Sequence, residues 1–145
     1  MTEKNYDFRK FLNTVHQKNR RDFSRKPNPD ETEISNSWNI RIDENASDFI
    51  VRAARDFADY LFVSMELSVG ILRGDTNAPA KHTIVLKTGS GKKNVKRSFR
   101  LDCSPEKLVV ADADERGTAL GAYYLEDVMN LRESPFVPHA KGLVK

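Results

Sequence analysis

The sequence predicts an α+β fold: a small mixed β-sheet with two amphipathic helices packed on one face, in the order β-α-β-β-β-(β)-α, preceded by a helical extension. Three observations predict it. Short apolar runs alternating with polar residues near 38–42, 82–86 and 99–101 have the period of half-buried strands. Two longer stretches, near 49–61 and 119–131, repeat apolar residues at helical spacing. Proline- and glycine-containing breaks separate these runs at intervals too short for a larger architecture.

In chain order, Tyr6, Phe8, Phe11, Leu12 and Val15 recur inside a charged stretch, which predicts an amphipathic helix over about 5–23. Lys26-Pro27-Asn28-Pro29-Asp30 ends it, since two prolines so close cannot continue a helix, and the polar run to Ser37 reads as a linker. Trp38, Ile40 and Ile42 alternate as a strand. Ser47 or Asp48 can cap the next helix, whose apolar positions are Phe49, Ile50, Ala53, Ala54, Phe57, Ala58 and Leu61. Leu67–Leu72 predicts a second strand, His82, Ile84 and Leu86 a third, and Phe99 and Leu101 a fourth. The third and fourth are expected to pair as a hairpin across Gly89-Ser90-Gly91-Lys92-Lys93-Asn94. Leu108-Val109-Val110-Ala111, after Ser104-Pro105-Glu106, has no alternation and reads as a buried strand. Ala119, Leu120, Tyr123, Tyr124, Val128 and Leu131 then mark the apolar stripe of a helix that Ser134-Pro135 stops. The expected organisation is a basic extension and linker over 1–36, the α+β domain over 37–134, and a tail over 135–145 leading toward a further domain.

At 145 residues the chain has room for one core and cannot hold a complete (β/α)8 barrel, which needs roughly 200 residues. No apolar run reaches the roughly 18 residues of a membrane span, and the N-terminus carries no secretory leader pattern. The expected compartment is therefore the cytoplasm, or a secreted or periplasmic location if a leader has been removed. A single cysteine, Cys103, excludes an internal disulfide framework. The net charge of +3 sums two basic and two acidic blocks: residues 81–107 carry eight Lys/Arg against two Asp/Glu, and residues 31–80 four against nine. Lys92, Lys93, Lys96 and Arg97 are the candidate anion-binding residues, although a solvated hairpin tip is the preferred reading of them, and nucleic acid is not the expected partner.

The tightest polar cluster is Asp112-Ala113-Asp114-Glu115-Arg116-Gly117. Paired carboxylates can divide acid and base roles, but Asp112 and Glu115 also have the spacing of a capping box, in its Asp form, and this reading is preferred. Gly117 and Gly121, four apart, would let the last helix approach the sheet closely. The 89–93 segment lacks the first glycine and the Ser/Thr of a phosphate loop. His16, His82 and His139 show no short metal-ligand spacing, and Cys103 reads as a passive buried thiol. Neither catalytic nor metal-binding residues are assigned, and no cofactor is expected.

The stretch from Leu108 to Val128, with Gly117, Gly121 and Leu125 at its centre, resembles the end of the small domain that precedes the catalytic barrel in glycoside hydrolases, notably family 20 β-N-acetylhexosaminidases and family 67 α-glucuronidases. That resemblance implies a structural motif of Asp112, Asp114, Glu115, Gly117, Gly121 and Leu125. It also implies a non-catalytic role supporting a C-terminal (β/α)8 barrel absent from this chain, with contact to carbohydrate at most. The alternative is a free-standing basic module for an anionic partner such as nucleic acid or an acidic glycan.

Overall fold

The computed structural model describes residues 16, 18, 20–77, 80–89, 99–112 and 114–145. Its elements are β1 (Glu31–Glu33), β2 (Asn39–Asp43), α1 (Asp48–Met65), β3 (Gly70–Gly74), β4 (Thr83–Thr88), β5 (Arg100–Cys103), β6 (Lys107–Asp112), α2 (Glu115–Arg132), β7 (Phe136–Pro138) and β8 (Ala140–Val144). The extension expected over 5–23 lies mostly outside the described residues.

Six strands form a mixed sheet in the order β3-β2-β4-β6-β5-β8, with β1 and β7 pairing separately. β2 runs parallel to β3 and β4, and β4 parallel to β6, while β5 is antiparallel to both β6 and β8. The register aligns two buried rows across the sheet. One is Ile40, Ile84, Leu108 and Cys103; the other is Ile42, Leu86, Val110 and Leu101. Both helices pack on these rows, α1 through Ile50, Ala54, Phe57 and Leu61, and α2 through Ala122, Leu125 and Met129. The α+β class and the helices on one face are as the sequence predicts.

The expected hairpin does not form. β6 lies between β4 and β5, and the hairpin is instead β5–β6, turning at Ser104-Pro105-Glu106. Alternation in residues 82–86 and 99–101 sets which face each strand buries but not which strand it pairs with. The interior position goes to Leu108–Ala111, whose apolar run tolerates burial on both sides. The tip residues 90–98 lie outside the described residues.

Ser47 is the N-cap of α1, its hydroxyl accepting from the Ile50 amide at 3.3 Å. In α2 the N-cap is Asp114, whose carboxylate accepts from the Arg116 amide at 3.1 Å; Asp112 is the last residue of β6, so the capping box does not run from Asp112. The apolar stripe expected on α2 is also rotated. Leu120, Tyr123 and Leu131 are exposed, and the helix meets the sheet through Gly117, Thr118, Gly121, Ala122 and Leu125. The reason is space: a Cβ on Gly121 would stand 2.2 Å from Val110 Cγ1 and 3.1 Å from the Phe99 ring. Small residues let this face come closest, so the larger apolar side chains turn outward. Phe49, expected on the buried face of α1, is likewise exposed.

Within the stretches read as linker and tail, the structure places β1, β7 and β8. Ile34 and Val137 join the core, and the segment from Arg21 runs past the C-terminal ends of both helices. Arg21 donates to the Met65 carbonyl at 3.0 Å. Arg132 grips Glu31 with two hydrogen bonds of 2.7 and 2.8 Å and donates to the Lys26 carbonyl. Such forked pairs bring geometric specificity as well as energy. Three-residue strands held by side-chain ion pairs leave no period in the sequence.

Replacing Gly121 by alanine should destabilise the protein by roughly 1–3 kcal/mol through overpacking, the reverse of the roughly 1 kcal/mol gain expected at an open helix position. Urea unfolding followed by circular dichroism measures the sign directly. Leu125→Ala, which empties a fully buried site, should cost about 2–5 kcal/mol in the same assay.

Candidate functional site

The acidic cluster singled out in the sequence sits where the two helices begin. Glu115, the first residue of α2, accepts a 2.5 Å hydrogen bond from the hydroxyl of Ser47, the cap of α1. Asp114 caps its own helix, and the Asp112 carbonyl accepts from the Gly89 amide at 3.0 Å. Negative side chains are favoured against helix N-termini, and the Asp114 and Glu115 carboxylates each have a structural partner there. Gly117, Gly121 and Leu125 lie buried beneath them along α2. Glu115 thus bridges the two helix starts and Asp114 caps α2, while Gly121 and Leu125 face the core. Lys92, Lys93, Lys96 and Arg97 lie outside the described residues.

A second cluster was not foreseen. His16 stands between the helices with Nε2 3.1 Å from Asp56 Oδ1 of α1 and Nδ1 3.5 Å from Glu126 Oε1 of α2. Its ring meets Tyr60 edge-on, with centroids 5.5 Å apart. Tyr60 in turn donates to the Glu126 carbonyl at 3.1 Å and to Asn130 Oδ1 at 2.8 Å, tying α1 to α2. Arg20, Ser64, Tyr123 and Asp127 complete the walls of a cavity of about 260 Å³. Glu126 is only 8% exposed, and its Oε2 is buried with no hydrogen-bond partner among the described residues.

Burial pushes the Glu126 carboxyl up to about 8, with Asp56 and Asp127 adding repulsion in the same direction. Burial, followed by the charge of Glu126, also drives the Tyr60 hydroxyl well above the usual phenol range. Among the described residues, His16, Asp56 and Glu126 are the set of metal-ligating side chains whose donor atoms all lie within 4.8 Å of one another. No sequence rule found them: the three positions are 40 and 70 residues apart, with Glu126 on a helix face whose neighbours gave no sign of burial. Of the other histidines, His82 stacks on Trp38 with ring centroids 5.6 Å apart and His139 is exposed. Cys103 is buried, and that burial pushes its thiol up, as a passive role requires.

No protein-family model matches the chain, and no curated protein matches it in sequence. Solved structures do. A GH20 β-N-acetylhexosaminidase from Streptomyces coelicolor A3(2) superimposes with a TM-score of 0.60 at 18% identity, over 82% of this chain and 24% of that one. The fold is related to one found in glycoside hydrolases. A Streptomyces plicatus β-hexosaminidase matches with a TM-score of 0.59 at 17% identity, over 81% and 23%. A family GH115 4-O-methyl-α-glucuronidase matches with 0.51 at 18%, over 79% and 18%. The chain thus spans about a quarter or less of the length of these structures.

Because Glu126 holds its proton more tightly when folded than when unfolded, the stability it contributes is complete below about pH 4.5 and is lost as pH rises toward 8. His16, Asp56, Asp127, Arg20, Tyr60 and Tyr123 face it from the surrounding elements. In chelator-treated protein, the urea midpoint should fall over that interval. Glu126→Gln, which cannot ionise, should flatten the dependence; equal slopes for the two proteins would show that Glu126 is not the group responsible.

Proposed function

We propose that the chain is a non-catalytic accessory domain of a glycoside hydrolase, supporting a (β/α)8 barrel that follows it and bordering the glycan cleft at most. The observation that carries this reading is coverage: more than three quarters of this chain superimposes on glycoside hydrolases, yet accounts for a quarter or less of each. In this reading the domain takes in β1, β7 and β8 as well as residues 37–134, and so runs from about Glu31 to Val144.

Two features of the molecule support it. The carboxylates at the start of α2 are engaged in capping and in the bond to Ser47, which leaves them poorly placed to act as an acid and base pair. The outward faces of the helices carry large apolar side chains, with Phe62 64%, Tyr123 48% and Leu131 88% exposed. A helix layer that turns such groups outward suits a domain with a neighbour on that side.

The purified 145 residues should leave a panel of chromogenic glycosides unhydrolysed, within the background of buffer alone. Turnover that disappears in Asp114→Asn or Glu115→Gln would overturn the non-catalytic reading.

A further inference from the structure

We propose that His16, Asp56 and Glu126 bind one divalent cation of the zinc class, and so fasten the N-terminal segment to both helices. The inference is independent of the accessory-domain reading.

Geometry comes first. Zinc holds imidazole nitrogen and carboxylate oxygen at about 2.0–2.2 Å, so two ligands of one ion stand about 3–4 Å apart. His16 Nε2 lies 3.1 Å from Asp56 Oδ1 and His16 Nδ1 lies 3.5 Å from Glu126 Oε1, and one donor atom from each of the three residues falls within 4.8 Å of the other two. One ring nitrogen would take the ion, and since Asp56 faces Nε2 and Glu126 faces Nδ1, the carboxylate on the other nitrogen would turn toward the ion to complete the set.

The second observation is the unpaired oxygen. With both ring nitrogens of His16 facing carboxylates, Glu126 Oε2 still has no hydrogen-bond partner among the described residues. An unsatisfied buried carboxylate oxygen is costly, and a cation shared by the cluster satisfies it. The cavity of about 260 Å³ beside it, lined by Tyr60, Ser64, Asp127 and Asn130, has space for waters to complete the coordination. The donor set decides the class of metal. Imidazole with carboxylates suits zinc and its transition-metal neighbours, whereas magnesium and calcium prefer oxygen alone.

The test is calorimetric titration of the chelator-stripped 145-residue protein with zinc chloride, and separately with magnesium and calcium chloride. One equivalent of zinc should bind with Kd below about 100 µM, with magnesium and calcium at least about tenfold weaker. His16→Ala and Glu126→Gln should each weaken zinc at least about tenfold, while the Cys103→Ser, His139→Ala double variant should bind as the parent does. Far-UV circular dichroism establishes that each variant is folded, and in the parent protein zinc should shift the His16 ring signals in the proton NMR spectrum. The proposal is overturned if the folded parent binds zinc no tighter than about 1 mM, if magnesium or calcium binds as well as zinc, if affinity survives both His16→Ala and Glu126→Gln, or if it is lost with Cys103 and His139.

Discussion

The helix layer depends on how closely α2 can approach β6. Gly121 lies against Val110 and Phe99 with no room for a methyl group, and that contact fixes the height and rotation of the whole helix. Leu125 and Met129 then drop into the core, Thr118 reaches the Lys87 carbonyl at 2.8 Å, and Tyr60 of α1 meets the carbonyl of Glu126. The same rotation carries the Glu126 side chain inward beside Asp56. A buried carboxyl in this molecule is thus a consequence of a glycine one and a half turns earlier.

Much of the architecture was legible because its signals are local. The period of Ile40–Ile42 and Ile84–Leu86, the Ser47 cap and the unalternating run at Leu108–Ala111 each report a property of a few neighbouring residues, and each holds in the structure. Strand partnership is not local, which is why β4 was paired with β5 when β6 separates them. The stripe on α2 misled for a different reason. Hydrophobicity marks large side chains, whereas the packed face was chosen by smallness, a signal carried by Gly121. The cluster of His16, Asp56 and Glu126 left no trace, since its members come from three separate parts of the chain and meet only when α1 packs on α2.

The two conclusions about function rest on separate parts of the molecule. The accessory-domain reading draws on the sheet and helix layout shared with glycoside hydrolases and on the outward apolar side chains of α1 and α2. The metal-site reading draws on the opposite problem, a polar group turned inward with one oxygen unpaired. Both describe a framework: acids at the helix starts bracket α1 to α2, Arg132 and Glu31 hold the first strand in place, and the cation would close the remaining edge.

The most direct measurement is immunocapture of the natural gene product from its own cells with antibodies raised against this fold, followed by its mass and its glycosidase activity. The account predicts a polypeptide longer than these 145 residues by roughly 200 or more, enough for a (β/α)8 barrel, with hydrolase activity in the captured material. A captured species of 16.5 kDa, free of any accompanying glycoside hydrolase, would contradict it.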